Sequence, residues 1–574
     1  MSAEGQNIQF THSNVERRVS VVYASVGKQG LFLPKDFLRV ELQDNDVSVT
    51  TNDRSPLLDN ASFGSRLKLS VRKELLQQER EIVLNNHVPY NENDDYNIAL
   101  AFGEAVLSKK IKTASSMNEL KVLAQSSIPL VITFLLQNSL STVSVFSVGH
   151  LGASELAAVS IGAMTANISG YATIQGVSTA LDTLCPQAFG AKKYHLVGVY
   201  MQKCIAMNFV IILPVLFIWA ILGKQILILV MPDETTAEFA AQYLLYLCPG
   251  IPAYILFECG KRFLQAQGIF HVSTFVLLIA APSNLLMNLV FVRKFGFIGA
   301  PIAVSINYWL MFLGLLISTV KFTGYPDQPS PLRCWDGLQL CRAFLSWGTL
   351  VTLAVPGWIM LEAEFLAFEI LTLIASYLGT KKLGAQAVGL TIASLTYQVP
   401  FAIGIASSTR IANYLGAGLG DSAKTTTKVA ISFGFLISVL NFSIIYIFQT
   451  PIASLFTKDD KVIAIIKDVM WLVALMQISD ATNAISAGCL RGQGQTKIGG
   501  IVNLISYYII GIPLSIYLAL FSPWKGSLSG LWIGTTVALS IIGIVQTYYS
   551  LYVDFDVICE QARKRTTHSA NLLI

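Results

Sequence analysis

From Leu120 to Tyr552 the chain presents apolar segments of about 20 residues in quick succession, separated by short polar loops. About 20 apolar residues wound as a helix cross the ~30 Å of hydrocarbon in a bilayer. A helix also satisfies its own backbone polar groups where no water is present. The sequence therefore predicts an all-α polytopic membrane protein. The spans fall at 124–148, 156–178, 199–222, 240–259, 270–292, 298–320, 346–376, 385–406, 428–448, 466–488, 498–520 and 529–552, which makes twelve helices. The seventh is overlong and is expected to tilt, kink or begin outside the membrane. Composition agrees: 53% of residues are apolar and 13% charged, whereas a soluble domain is roughly a quarter charged.

Residues 1–118 contrast with this pattern. They are polar, with few periodic apolar positions, and read as a mostly disordered tail with a helix near Leu67–Leu84. No early apolar core marks a cleavable signal, so the first span is expected to act as its own insertion signal. Lys and Arg set the orientation. With the tail in the cytosol, roughly fourteen fall on that side, including Lys192, Lys193, Arg262, Arg410 and Arg491. Eight fall on the other, including Lys224, Arg293, Lys294, Lys381 and Lys382. Both termini are thus expected in the cytosol. The net charge of +5 includes no basic block interleaved with aromatics, which argues against nucleic acid as a partner. The eight cysteines are scattered, with no CxxC pair and no metal-ligand spacing. Cys334 and Cys341 are expected reduced in a cytosolic connector, and the other six read as packing residues.

The chain repeats itself. "QAFGAKK" (187–193) aligns with "NYLGAGL" (413–419), and "LQAQG" (264–268) with "LRGQG" (490–494), both about 226 residues apart. This divides the protein into a six-helix lobe at 119–320, a cytosolic connector at 321–345, a second six-helix lobe at 346–552 and a cytosolic tail at 553–574. Six is even, so both lobes enter the membrane in the same sense, related by an axis along its normal.

The seventh span, "PGWIMLEAEFLAFEILTLIASYLG" (356–379), contains Glu362, Glu364 and Glu369, and the tenth contains Asp480. A carboxylate at mid-membrane costs about 2.5–3.5 kcal/mol on insertion scales. In the repeat register Glu364 answers to Gln137, Glu369 to Thr142 and Asp480 to Tyr254, so at these positions the second lobe has ionisable groups where the first has neutral ones. A requirement common to both lobes would be symmetric. The asymmetry points to a task, namely binding protons, a cation or both. Carboxylates crowded in a low dielectric cannot all stay ionised, which suits them to proton exchange. The bland reading is a buried acid satisfied by a cation or backbone group, and no Lys or Arg lies deep in these spans. Glu362 shares a helix face with Glu369, while Glu364 lies well round the helix. Glu258, four residues before Arg262, and Asp182, near the end of span two, read as structural, paired locally.

Other elements stand in a telling order: "LQNSL" (136–140), "GHLG" (149–152), "ANISG" (166–170), "LDTLCPQAFGAKKYH" (181–195), "MLEAEFLAFE" (360–369), "ASSTRIANYLGAG" (406–418) and "GCLRGQGQTKIGGIVNLISYYIIGIPL" (488–514). Over about 120–552 the chain resembles the multidrug and toxic compound extrusion (MATE) family, in its eukaryotic, fungal-type branch. The resemblance implies a secondary antiporter that exports small organic, often cationic, compounds in exchange for protons, with sodium the less favoured ion, by alternating access. It places proton or cation coupling on Glu364, Glu369 and Asp480. Candidate substrate contacts are Gln137, Asn167, Glu362, Thr391, Tyr254 and Tyr397, with Trp358 a further aromatic. Thr391 stands where some animal members carry a glutamate, and Glu362 is extra. No enzyme activity, cofactor or metal is expected, and no GxxxxGK[ST] loop is present for an ATP-driven pump. A flippase for lipids or lipid-linked sugars is the first alternative, disfavoured by the acidic cavity. A non-transporting receptor or scaffold is the second, separable by cargo flux in vesicles. "DRSPLL" (53–58) matches an acidic dileucine signal through Asp53, Leu57 and Leu58. It favours a sorting adaptor and the vacuolar membrane, with the plasma membrane next. "RRVS" (17–20) is a weaker kinase-like motif.

The orientation is testable at Asn60, which lies in the sequon "NAS". A cytosolic tail never meets the glycosylation machinery, so Asn60 should stay unmodified and a tag on Met1 should resist protease in sealed cells. A glycan at Asn60 would reverse the topology.

Overall fold

A computed structural model describes residues 114–149, 151–230, 233–321, 330–456, 460–521 and 526–571. The expected tail, with Asp53, Leu57, Leu58 and Asn60, lies outside them. The described chain is helical: α1 (Ser116–Val148), α2 (153–190), α3 (194–230), α4 (Glu234–Ala266), α5 (His271–Phe295), α6 (Gly299–Lys321), α7 (Gly348–Tyr377), α8 (Thr380–Ala417), α9 (Gly420–Ile447), α10 (Asp460–Gln493), α11 (Thr496–Leu520), α12 (Ser529–Tyr552) and a last helix, α13 (Phe555–Asn571). None of Cys185, Cys204, Cys248, Cys259, Cys334, Cys341 and Cys489 is in a disulfide.

The twelve expected spans are all helices, and most run beyond the apolar core that revealed them. α1 begins at Ser116 instead of 124, and α8 covers Thr380–Ala417 instead of 385–406. Hydropathy registers only the part of a helix that lies in hydrocarbon, while the helix continues through polar end turns. The length of α7 proves unexceptional, since its 30 residues are fewer than the 33, 38 and 34 of α1, α8 and α10. Eight stretches are long and apolar enough to cross a membrane, and one of them, His271–Lys321, holds α5 and α6 together. The three spans not among them are α2, α7 and α10. These carry Asp182, the three glutamates and Asp480.

The lobes are joined by an exchange. The first turns of α1 bury Leu123 and Leu130 in the core formed with α8, α9 and α13 of the second lobe. The first turns of α7 bury Leu350, Leu353 and Ala354 in the core of the first lobe. Both exchanges occur at the face where α1 and α7 begin and α2, α8 and α10 end, called here the terminal face. There the ends of α2 and α8 pack almost backbone to backbone. A Cβ on Gly190 would lie 2.0 Å from the Asn413 carbonyl oxygen, and one on Gly416 would lie 2.1 Å from that of Gln187. Gly190 and Gly416 are 226 residues apart, and so are Gln187 and Asn413, so the contact is reciprocal, as expected of lobes related by an axis along the membrane normal. Small residues that let helix backbones approach are the usual currency of packing in a bilayer. Deeper in, a Cβ on Gly176 would meet the Cα of Trp358 at 2.6 Å.

Candidate functional site

In the second lobe α7 and α10 face each other and bring two of the expected acids together. Asn483 Nδ2 donates to Glu364 Oε2 at 3.5 Å. Asp480, one turn earlier on α10, lies close enough to Glu364 for the two charges to interact. Tyr397 of α8, Tyr507 of α11 and Arg491 of α10 complete the surroundings of Glu364. Among the described residues no Lys or Arg comes within ion-pair distance of either acid. Asp480 Oδ1, Asn483 Oδ1 and the Tyr507 hydroxyl are buried without a hydrogen-bond partner. So are Nε and Nη2 of Arg491, whose guanidinium lies 5.7 Å from the Phe401 ring. A buried polar group without a partner costs roughly 1–3 kcal/mol, more when charged, so this cluster is expensive to keep.

Its frame is well bonded. Asn503 Nδ2 of α11 donates to the Met360 carbonyl of α7 at 2.9 Å. Gln546 Nε2 of α12 donates to Asn503 Oδ1 at 2.8 Å, and Ser486 Oγ of α10 donates to Gln546 Oε1 at 3.3 Å. Four helices are thereby fixed around Glu364. The other glutamates of α7 stand apart. Glu362 faces Trp358 and Tyr508, with Oε2 buried and unpartnered. Glu369 is half-buried and has neither an ion pair nor a hydrogen bond.

The first lobe solves the same problem in the opposite way. Glu258 accepts from Lys261 Nζ at 2.8 Å and from Arg262 Nη1 at 2.5 Å, while Arg262 Nε lies 3.2 Å from Asp182 Oδ1. Two acids and two bases cancel in a buried group. Gln137 of α1 joins it, donating to Glu258 Oε1 at 2.8 Å and to the Tyr254 hydroxyl at 3.3 Å, and accepting from Lys261 Nζ at 3.1 Å. Tyr254 packs against Tyr171 and Tyr308, with ring centroids 4.8 and 5.0 Å away. Asn167 is exposed at the start of a π-helical segment, Asn167–Ala172, a distortion frequent at functional sites. Thr391 is exposed, and its hydroxyl donates to the Ala387 carbonyl of its own helix. Neither is drawn into the clusters.

The MatE family model matches residues 129–290 and 356–517, one copy per lobe and 227 residues apart at each end. The chain belongs to the MatE family. An uncharacterized transporter of Saccharomyces cerevisiae is 44% identical over 78% of this chain and 63% of its own length, so the chain spans under two thirds of that relative. Multidrug and toxin extrusion protein 2 of Mus musculus is 31% identical over 76% of this chain and 75% of its own. The crystal structure of the eukaryotic MATE transporter AtDTX14 superposes with a TM-score of 0.73 at 28% identity, covering 79% of this chain and 99% of that one. The chain thus belongs to a family whose named relatives are transporters.

In this MATE chain the lobes are latched at the terminal face by a residue that the sequence reading passed over. Glu119, in the first turn of α1, has no solvent exposure. It accepts from Arg410 Nε and Nη2 of α8 at 3.2 and 3.1 Å, from the Tyr414 hydroxyl at 2.7 Å and from Thr426 Oγ1 of α9 at 2.9 Å. Nearby, Thr183 Oγ1 of α2 donates to the Arg491 carbonyl, and Arg565 Nη1 of α13 donates to Gln187 Oε1 at 3.3 Å. Between the facing halves of α1–α2 and α7–α8, the described hydrogen bonds gather at this face. Asn138–Ser394, 3.4 Å apart near mid-span, is the exception. The protein is closed at the terminal face.

Removing one partner of a buried ion pair costs about 3–5 kcal/mol, because the other charge is orphaned. Arg410→Met should therefore lower the melting temperature sharply and raise cysteine labelling of the terminal-face ends of α2 and α8. Glu119→Leu combined with Arg410→Met should recover most of the stability. Unchanged melting in Arg410→Met would remove the latch.

Proposed function

We propose that the protein is a proton-coupled antiporter that exports small organic, chiefly cationic, compounds from the cytosol. The observation that carries this reading is that Glu364 and Asp480 lie close enough for their charges to interact, in a site where neither makes an ion pair. Such a site has two uses in one place. An unpaired carboxyl in a low dielectric readily takes up a proton, and once ionised it attracts a cation. The aromatic rings of Tyr397 and Tyr507 beside it suit planar or cationic cargo. Glu369, half-buried and unpartnered, is a second proton acceptor on the same helix, and Glu362 a third acid on its face. Gln137 and Tyr254, held in the neutral cluster of the first lobe, offer polar and aromatic contacts without titrating. Asn167 and Thr391 complete the candidate cargo contacts.

The terminal face is the cytosolic one, by the Lys and Arg bias and the placement of both termini. The closed terminal face then corresponds to a state that faces the lumen or the exterior. Protonation of the acids there releases cargo, and deprotonation on the cytosolic side restores affinity, so differential affinity drives the cycle. Either membrane provides an acidic opposite side, and the "DRSPLL" match favours the vacuole.

Glu364→Gln and Asp480→Asn keep shape and remove titration. In vesicles with an imposed pH gradient each should reduce proton-driven cargo flux to background at equal expression, while Gln137→Ala chiefly weakens cargo affinity. Wild-type flux and pH dependence in both Glu364→Gln and Glu369→Gln would overturn the mechanism, and flux that needs sodium would replace the proton with that ion.

Leu57→Ala with Leu58→Ala should move the protein off the vacuolar membrane with transport intact. An unchanged location would remove the motif from the account.

A further inference from the structure

A cleft of about 480 Å³ opens beside the terminal face, lined by Lys121, Gln125, Ser126, Gly268 and His271. It lies where α1, having left the core of the second lobe, crosses α5 of the first. Its floor is the α1–α5 contact, in which Thr274 Oγ1 donates to the Pro129 carbonyl at 2.9 Å and pairs with Thr133 Oγ1 at 2.8 Å. None of the lining residues is acidic. Glu119, two residues before Lys121, is committed to Arg410, and Lys121 is exposed with no carboxylate in ion-pair distance.

Two independent features single out an anion. First, α5 starts in the cleft with no side-chain cap at Phe270, so the initial N–H groups of a 25-residue helix lack a side-chain acceptor. The end of a helix that presents such groups attracts negative charge. Second, Ser126 is only 6% exposed, yet its hydroxyl has no hydrogen-bond partner, and it lines the cleft. A side chain buried to this degree normally finds a partner for its hydroxyl, and this one lines the cleft at which α5 begins. A single cation, a row of backbone donors, a hydroxyl and an imidazole edge from His271 form a donor set suited to phosphate oxygens.

We propose that this cleft binds a phosphate group, as carried by an anionic phospholipid of the leaflet at the terminal face. Naming that leaflet cytosolic rests on the orientation proposed above, but binding itself does not. By contacting α1 and α5 together, the ligand braces the helix that carries Glu119 and so favours the closed terminal face.

The test uses the full chain in detergent, with phosphatidic acid or phosphatidylcholine added, and counts retained lipid by native mass spectrometry. Phosphatidic acid should be retained and phosphatidylcholine not. One surface Lys is worth about five-fold in anionic-lipid affinity, so Lys121→Ala should lower retention about five-fold. Ser126→Ala, which adds no bulk, should lower it in the same direction, and Lys497→Ala, an exposed lysine at the same face, should leave it unchanged. A melting series with inorganic phosphate separates the sources. Stabilisation by free phosphate that Lys121→Ala abolishes, with no retained lipid, assigns the site to a soluble phosphate and overturns the lipid. Equal retention in wild type, Lys121→Ala and Ser126→Ala, or an equal loss in Lys497→Ala, overturns the site.

Discussion

The closed state rests on the approach of two helix backbones. Gly190 and Gly416 have no room for a side chain, because each lies against the carbonyl of the residue that its own repeat partner helps to position. Little else could bring α2 and α8 so near, since in a bilayer there is no hydrophobic gain from joining two apolar surfaces. The remaining contacts at that face follow from this distance. Thr183 reaches the Arg491 carbonyl, Arg565 of α13 reaches Gln187, and Glu119 is carried under Arg410. Because the contact is reciprocal, the same short stretch of sequence, used twice, builds both sides of it.

The two lobes spend their buried charge differently. In the first, Asp182, Glu258, Lys261 and Arg262 neutralise one another, and such a group favours one arrangement of α2 and α4. In the second, Glu364 and Asp480 have neighbours but no ion pair. A paired cluster resists a change of protonation and an unpaired one invites it. The fold therefore holds one lobe electrostatically fixed and leaves the other responsive, within a backbone that is nearly the same in both.

Much of this was legible in the residues. Twelve spans were readable as a succession of apolar segments, although α2, α7 and α10 are diluted by polar residues, and the repeat was readable from "QAFG" and "NYLG". The acids of α7 and α10 stood out because carboxylates are costly in hydrocarbon. The sequence did not reveal which of them meet. The resemblance groups Glu364, Glu369 and Asp480, yet in the structure Asp480, 116 residues away, lies near Glu364 and Glu369 stands apart. Glu119 escaped notice for a related reason. At the polar start of a span a glutamate looks like an ordinary solvated end residue. Its burial comes from α8 and α9 of the other lobe, which no local pattern records. Arg410 was likewise counted as a surface charge in the orientation tally, although it is 3% exposed. Glu258 with Arg262 was readable because the spacing of four falls on one helix, while Lys261 and Gln137 joined them only through tertiary packing.

Arg491 shows how the two regions are physically continuous. Its carbonyl takes the hydroxyl of Thr183 across the lobe interface, so its backbone is part of the closed face. Its guanidinium is buried, makes no ion pair, and lies within electrostatic reach of Asp182 in the first lobe and Glu364 in the second. When α10 separates from α2, that charge leaves Asp182 and stays beside Glu364, so Glu364 is the acid left to hold it. The energy of parting the lobes at the terminal face thus depends on the charge of Glu364, and by linkage the charge of Glu364 depends on whether the lobes are parted. Nothing more than one arginine on one helix is needed for Glu364 and the closed face to sense each other.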